Sequence, residues 1–437
     1  MTERVRRNGL YTGVTNSPTE KRQAVSKSFK DFQTFVTHEQ KDILMKIRTQ
    51  AADFRVEEIN SIPIGRDGKY GVYEMRKTGW NTLDALKSIA IQWKRSPKEL
   101  AHAGLKDRHA ITSQVITIFD GPSRNFEDHQ VSLEYLGQSS RATVATDIVG
   151  NRFSLVLRSL SADEVHSAKE ALPQIGATGL ANYFDDQRFG SWIPGHPFIA
   201  EHWIRADYEE ALRLSFAEPH PMDDGEEREQ KDILRQHWGD WKLCKQKLSR
   251  SHRRSIITFL DDRKDDFKGA WACVNAEMRG LYLTAFQSDL WNHILNNLFQ
   301  EAFTDDQLIR FRMKTGELCL PTTMTAEQRK TLHAAEIPLP SARIKNLDES
   351  LRPLVEKSLA EKGWKLEELK VRHPRDRFFP KASRAAMIPV ADLESEFGED
   401  ELSPGLAKLN VQFTLPRGCY ATMLVKRLMI AESQMQN

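Results

Sequence analysis

Strand-like alternation stands at both ends of this 437-residue chain, with a long helix-rich interior between. FRVEEI (54–59), YGVYEMR (70–76), VITIF (115–119) and FSLVLR (153–158) read as strands, and SIPIGRDGK supplies a turn between the first two. Far downstream, LNVQFTL (409–415) alternates with period 2, the pattern of a half-buried strand. It runs through PRGCYATMLVKRLM, a turn leading into a helix. Strands at the two ends and helices between them predict a mixed α+β domain interrupted by a long insertion.

The helical signals are local. Trp80, Leu83, Leu86, Ala90 and Trp93 recur at helical spacing, with Asn81 and Asp84 placed as a cap and its partner. Ser96–Pro97 starts a further short helix, 161–175 reads as helical, and 280–303 is a long amphipathic helix carrying Phe286, Leu290, Ile294, Leu298 and Phe299 on one face. Composition shifts after about residue 205. Residues 218–232 hold seven Asp/Glu against two Lys/Arg, and 242–254 hold six Lys/Arg and no acid. Residues 1–30 carry seven Lys/Arg and two Asp/Glu, a loosely ordered basic arm.

Composition narrows the function classes. The 63 Lys+Arg nearly balance 61 Asp+Glu, for a net charge of +2, which argues against a tail-driven nucleic-acid binder but leaves room for a local basic groove. Cys244, Cys273, Cys319 and Cys419 form no CxxC pair, so zinc ribbons and thioredoxin-type sites are disfavoured, and sparse thiols suit a reducing cytosol. No apolar run approaches the roughly 20 residues of a membrane span. There is no GxxxxGK[ST], no strand–GxGxxG–helix, no HExxH and no GxSxG, hence no sign of a nucleotide cofactor or of catalytic zinc. Asp261, Asp262 and Asp265 spell DDxxD, but a magnesium-diphosphate site needs a second such cluster, and Arg263 and Lys264 neutralise this one. It reads as a solvated helix end.

Two stretches are dense in chemistry. In AGLKDRHAITSQ (103–114), Gly104 permits a close turn, and Asp107 lies between Lys106 and Arg108 just before a strand. A carboxylate beside cations stays ionised and can act as nucleophile or base; the alternative is a charge-balanced surface turn. In GLANYFDDQRFG (179–190), aromatic, amide and arginine side chains crowd between glycines. Aromatic faces stack on bases, amides read base edges and arginine meets phosphate; the alternative is an aromatic core turn with a buried Asn.

At these stretches the sequence resembles the TruD family of tRNA pseudouridine synthases. The family's GxKDxxAxTxQ is matched by Gly104, Lys106, Asp107, Ala110, Thr112 and Gln114, and its NYFGxQRFG by Asn182, Tyr183, Phe184, Gln187, Arg188, Phe189 and Gly190. DFxVxE is matched by Asp53, Phe54, Val56 and Glu58; GNxF by Gly150, Asn151 and Phe153; LPxGxYAT by Leu415, Pro416, Gly418, Tyr420, Ala421 and Thr422. Two departures stand out: Asp185 where the family has Gly, and Lys426–Arg427 where it has Arg–Glu, which would cost a salt bridge.

The resemblance implies a discontinuous pseudouridine-synthase catalytic domain at 44–205 plus 379–437, with a mixed antiparallel sheet. It implies a mostly helical α/β insertion, the TRUD domain, at 206–378, and leaves 1–43 as the flexible arm. The two domains would form a cleft for RNA. It implies isomerisation of a uridine in tRNA, by family uridine 13 of the D-arm, without cofactor or metal, by a cytoplasmic enzyme read as a monomer. Asp107 is then the catalytic aspartate. Phe54 and Phe184 are candidates to hold the extruded base, Asn182 to meet the uracil edge or position Asp107, and Arg48 or Lys46 to pair with Asp107. Lys106, Gln114 and Arg188 are backbone-binding or loop-ordering candidates, with a structural role for the last two equally open. The basic residues of 242–254, Arg250, Arg253 and Arg254 among them, are candidates for tRNA phosphates. An inactive RNA-binding or chaperone protein of the same fold is the alternative.

Overall fold

The computed structural model describes residues 47, 49–344 and 347–430. The basic arm, Lys46 and Arg48 lie outside the described residues. The strands are β1 (Phe54–Asn60), β2 (Tyr70–Thr78), β3 (Leu100–His102), β4 (Ile111–Phe119), β5 (Phe126–Asp128), β6 (Val131–Ser139), β7 (Ile148–Leu160), β8 (Leu180–Ala181), β9 (Leu308–Met313), β10 (Gly316–Pro321), β11 (Glu336–Pro338), β12 (Ser383–Ala385), β13 (Met387–Ile388), β14 (Ala391–Glu399) and β15 (Ala407–Pro416). The helices are α1 (Thr82–Gln92), α2 (Ala162–Thr178), α3 (Ile199–Ile204), α4 (Tyr208–Phe216), α5 (Gly225–Gln236), α6 (Trp241–Lys247), α7 (His252–Asp262), α8 (Phe267–Cys273), α9 (Ala276–Ala302), α10 (Ala326–Ala334), α11 (Arg352–Glu361) and α12 (Ala421–Met429). Among the described residues no helix is long and apolar enough to cross a membrane.

Nine strands make one sheet in the order β14-β15-β7-β1-β4-β2-β6-β5, with β3 on β4. β1 and β4 run parallel and the other pairs antiparallel, so the sheet is mixed and the α+β reading holds. The C-terminal strand returns to the middle of this sheet: Phe413 of β15 stands opposite Phe153 of β7, which stands opposite Val56 of β1. Leu409, Val411, Phe413 and Leu415 are all buried, which is the period-2 pattern realised as one face. Each such side chain contributes about 1.5–3 kcal/mol by leaving water. Phe54 packs edge-on to Phe153, which stacks on Phe413, at centroid distances of 6.4 and 5.3 Å.

Asn81 caps α1 by accepting from the Asp84 amide, as its spacing predicts. The helix lays Ala85, Leu86, Ile89 and Ala90 on Tyr73, Met75, Ile116, Ile118, Val131 and Leu133 of the sheet. Leu83, expected on that face, is 47% exposed, so the buried stripe lies one residue to the side. At the other end of the sheet Arg158 is buried against Asp53, Asp400 and Glu401, with N–O distances of 2.9–3.0 Å, tying β7 to the entry of β1 and to the β14–β15 turn.

Contacts divide the chain into two compact units. One comprises Gly190–Tyr282 and Val371–Arg377. The other carries the sheet and takes in the described residues up to Phe189, Leu283–Lys370 and the residues from Phe378 onward. This division differs from an insertion at 206–378. Residues 283–370 contribute β9, β10 and much of α9 to the sheet-bearing unit, because Tyr183 and Phe184 bury their rings against Phe299, Phe311 and Trp291.

The first unit is helical, and its chain pattern explains why. Asp207, Asp224, Asp240, Ser251 and Asp266 each accept from a backbone amide three residues on, starting α4, α5, α6, α7 and α8. Each such cap contributes about 1 kcal/mol. Arg253 of the basic block pairs with Glu227 of the acidic block, while Lys231 pairs with Asp223 at 2.8 Å and Lys245 with Asp261 at 2.9 Å. The Arg254 guanidinium donates to the Lys245 carbonyl at 2.9 Å. Of the three arginines named for phosphate contact, Arg253 and Arg254 are therefore engaged inside the unit, while Arg250 is exposed. Asp261 and Asp262 close α7 and Asp265 occupies a left-handed turn beyond it.

Candidate active site

The loop from Gly104 to Ala110 joins β3 to β4, and residues from several motif blocks hold it. The Lys106 ammonium is 3.0 Å from the buried carboxylate of Glu58 on β1 and also bonds the Asn151 side chain on β7. The Lys106 amide donates to the Thr82 hydroxyl at 2.9 Å, and that hydroxyl donates to the Gln114 carbonyl at 2.9 Å. Gln114 in turn donates to the Gly104 carbonyl at 2.9 Å. Gln114 is 0% exposed with both ends of its amide bonded, so it supports the loop from β4. Lys106 does the same from within: its cation is turned inward.

Clamped at both flanks, the loop presents Asp107 half-buried, between exposed Leu105 and exposed Arg108 and His109. One carboxylate oxygen accepts from the His109 amide at 3.0 Å, an Asx turn that fixes the side chain's direction. The main-chain carbonyl of Asp107 accepts from the Lys77 ammonium at 2.7 Å. Neither Lys77 nor Thr82 shows in the sequence pattern as a partner of the loop, since both lie on other elements.

The second stretch forms around Arg384 on β12. Its guanidinium donates to the Asn182 carbonyl at 2.7 Å, the Asn182 side-chain oxygen at 2.6 Å and the Gly418 carbonyl at 2.8 Å. It also lies over the ring of Phe184, 4.3 Å from the centroid, near Trp291 and Tyr420. Burial pulls this guanidinium below its ordinary pKa. Asn182 is buried, and its amide donates to the Ala385 carbonyl at 2.9 Å. Asn292 of α9 bonds both the amide and the carbonyl of Phe184, each at 2.8 Å. Arg188 reaches over the same ring at 5.7 Å and donates to the Ser288 hydroxyl at 3.2 Å. Sequence reasoning missed Arg384, which stands in no recognised block.

These two clusters share a strand pair. Asn151, bonded to Lys106, stands opposite Leu415 on β15, and the turn after that strand carries Gly418, bonded to Arg384. Gly150 makes the close approach possible, because a Cβ there would meet the Leu415 carbonyl oxygen at 2.6 Å. Phe54, 6% exposed, lies on the apolar face of the sheet against Phe153.

Both departures from the family pattern meet in one place. The Lys426 ammonium lies 2.6 Å from Asp185 and 2.5 Å from Asp186, and Thr422 donates to Asp185 at 2.8 Å. Burial alone would raise the Asp185 carboxyl, but Lys426 and Thr422 carry it below the usual range. Burial alone would lower Lys426, but Asp185 and Asp186 hold it above its ordinary value. An ion pair is present here, and Asp185 keeps an ordinary negative φ, so no backbone strain attends the replacement of Gly.

Residues 31–428 match the family model for tRNA pseudouridine synthase D (TruD). The chain belongs to this family. It is thereby an enzyme of the pseudouridine synthase class, an isomerase. A tRNA pseudouridine synthase D from Leptospira interrogans is 30% identical over 405 residues, covering 89% of this chain and 97% of that protein. A Methanocaldococcus jannaschii protein named "Probable tRNA pseudouridine synthase D 2" is 29% identical over 389 residues, covering 88% of this chain and 91% of the relative. A crystal structure of a Methanosarcina mazei protein described as a TruD-type tRNA pseudouridine synthase superposes with a TM-score of 0.70 at 25% identity, covering 89% of this chain and 94% of that one.

Proposed function

We propose that this TruD-family enzyme converts a uridine of tRNA, by family uridine 13 of the D-arm, to pseudouridine in the cytoplasm, with Asp107 as the catalytic carboxylate. The N1–C1′ bond breaks, the freed uracil rotates, C5 bonds to C1′, and the proton on C5 is lost as N1 gains one. Redox balance is zero and no external energy is needed. Asp107 attacks C1′ or the base, or assists a glycal route. One observation carries the reading: the Asp107 loop is clamped by Glu58, Asn151, Gln114 and Lys77 from four strands while Asp107 itself is half-buried and not enclosed. A target base must leave its stack, at about a few kcal/mol, to reach such a group. Phe184 and Tyr420, with Arg384 over both rings, support a role in receiving it. Arg48 or Lys46, both outside the described residues, is the proposed ion partner of Asp107. The catalytic domain is taken as 44–205 plus 379–437 and the enzyme as a monomer that needs no cofactor.

Carbodiimide-primer extension on tRNA incubated with wild type and Asp107→Asn tests this. Wild type produces the stop and the variant does not; a variant that still forms pseudouridine would refute the role of Asp107. Wild type that binds tRNA but leaves it unmodified would favour the inactive RNA-binding alternative.

A further inference from the structure

Lys77 is 1% exposed near the end of β2, an interior strand. Its register partners are Thr112 on β4 and Val131 on β6, neither ionisable. A buried ammonium is costly unless its donors are met and its charge is balanced. Two donors are met by main-chain carbonyls, those of Trp80 and Asp107, each at 2.7 Å. The charges facing it come from the loop: the Asp107 carboxylate favours the ammonium form and Lys106 opposes it. Trp80 opens the approach to α1, so the one side chain ties the end of β2, the start of that helix and the Asp107 peptide together.

We propose that Lys77 is a positioning residue for the reaction, gripping the Asp107 peptide so that the carboxylate faces outward at a fixed angle. This rests on the reading of Asp107 as the catalytic carboxylate. The contact is to the peptide oxygen, so it sets where the side chain starts, a task separate from keeping the carboxyl ionised. The grip is charge-assisted and depends on the proton Lys77 carries. Burial lowers Lys77 to about 8. Above that pH the amine is neutral, its bonds weaken, and the pull on the Asp107 carboxylate disappears. Turnover should therefore fall as pH rises through about 8, without a matching loss of tRNA affinity.

The test uses the full chain and tRNA transcripts tritiated at uridine C5, whose label leaves for water when C5 bonds to C1′. Lys77→Met should lower the single-turnover rate about 10- to 100-fold, the scale of a lost charged hydrogen bond. Affinity for tRNA should change less than about threefold. Lys77→Arg, which keeps its charge, should recover part of the rate and move the alkaline decline upward by more than one pH unit. Wild-type rate in folded Lys77→Met overturns the proposal, and so does a wild-type profile flat from pH 7 to 9.5, a measurement that needs no variant to fold. Equal losses of rate and of thermal stability, with the alkaline decline unchanged in Lys77→Arg, overturn it in favour of a structural role. Tritium release by Asp107→Asn would instead overturn the reading it rests on.

Discussion

Lys426→Met removes the ammonium bonded to two buried carboxylates, Asp185 and Asp186, and fills its space with a side chain of similar length. At 2.6 Å and an effective dielectric of about 20, one such pair attracts by roughly 6 kcal/mol. Burial of the charges offsets several kcal/mol of that per ion. What decides the cost is the state left behind: Asp185 and Asp186, 2% exposed each, would face each other without Lys426. Loss of one partner from a buried pair costs about 3–5 kcal/mol, and the expected loss is in that range. Asp185→Gly, which restores the family residue, leaves Lys426 with Asp186 in a one-to-one pair and should cost under about 2 kcal/mol. In the double variant the two effects should fail to add by about 1–3 kcal/mol, as expected for groups in contact.

The pH dependence has a definite sign. The folded Asp185 carboxyl lies below its unfolded value, so its contribution is present above about pH 4 and is lost as acid protonates the folded form. Lys426 is raised, so its contribution is present below about pH 10.4 and is lost as pH climbs through the folded value. The gap between wild type and Lys426→Met should be widest between these limits and narrow at pH 3. Urea unfolding followed by fluorescence at pH 3, 5 and 7 measures it. A gap below about 1 kcal/mol at pH 7, or the same gap at pH 3, would refute the reasoning.

Two further outcomes follow from the strand pair and from Arg384. Gly150→Ala places a methyl 2.6 Å from the Leu415 oxygen and should cost about 1–3 kcal/mol by forcing β7 and β15 apart, read as a lower urea midpoint at unchanged slope. Arg384→Lys keeps the charge but cannot reach Asn182, Gly418 and the Phe184 ring at once. Tritium release should drop at least about tenfold while Arg188→Lys, which gives up the bond to Ser288, loses less; equal effects would count against Arg384 as the organiser of that wall.

How much of this was legible depended on whether the signal was local. Period-2 alternation marks β1, β7 and β15, and the Asn81 cap marks α1, because pleat and cap involve residues two to three apart. β14 escaped notice: as an edge strand it is exposed along most of its length, and ADLESEFGE carries no apolar alternation. The start of β4 escaped for the opposite reason, since Thr112, Ser113 and Gln114 are polar yet buried: Gln114 bonds the Gly104 carbonyl of the loop and Ser113 bonds Glu74 on β2.

The sequence by itself determined the fold class, the family and the two stretches that carry chemistry, since each is written in consecutive residues. Only the tertiary structure decided what those residues do for one another. Lys106 and Gln114 turn inward because Glu58, Asn151 and Gly104 are there to receive them, and Lys77 reaches Asp107 across 30 positions of chain. Two departures that looked independent, 241 residues apart, are one ion pair. Arg253 of the basic block and Glu227 of the acidic block pair within the helical unit across 26 positions of chain. Contacts of this kind depend on chain separation being closed by the fold, and no spacing along the sequence encodes which side chain will stand opposite.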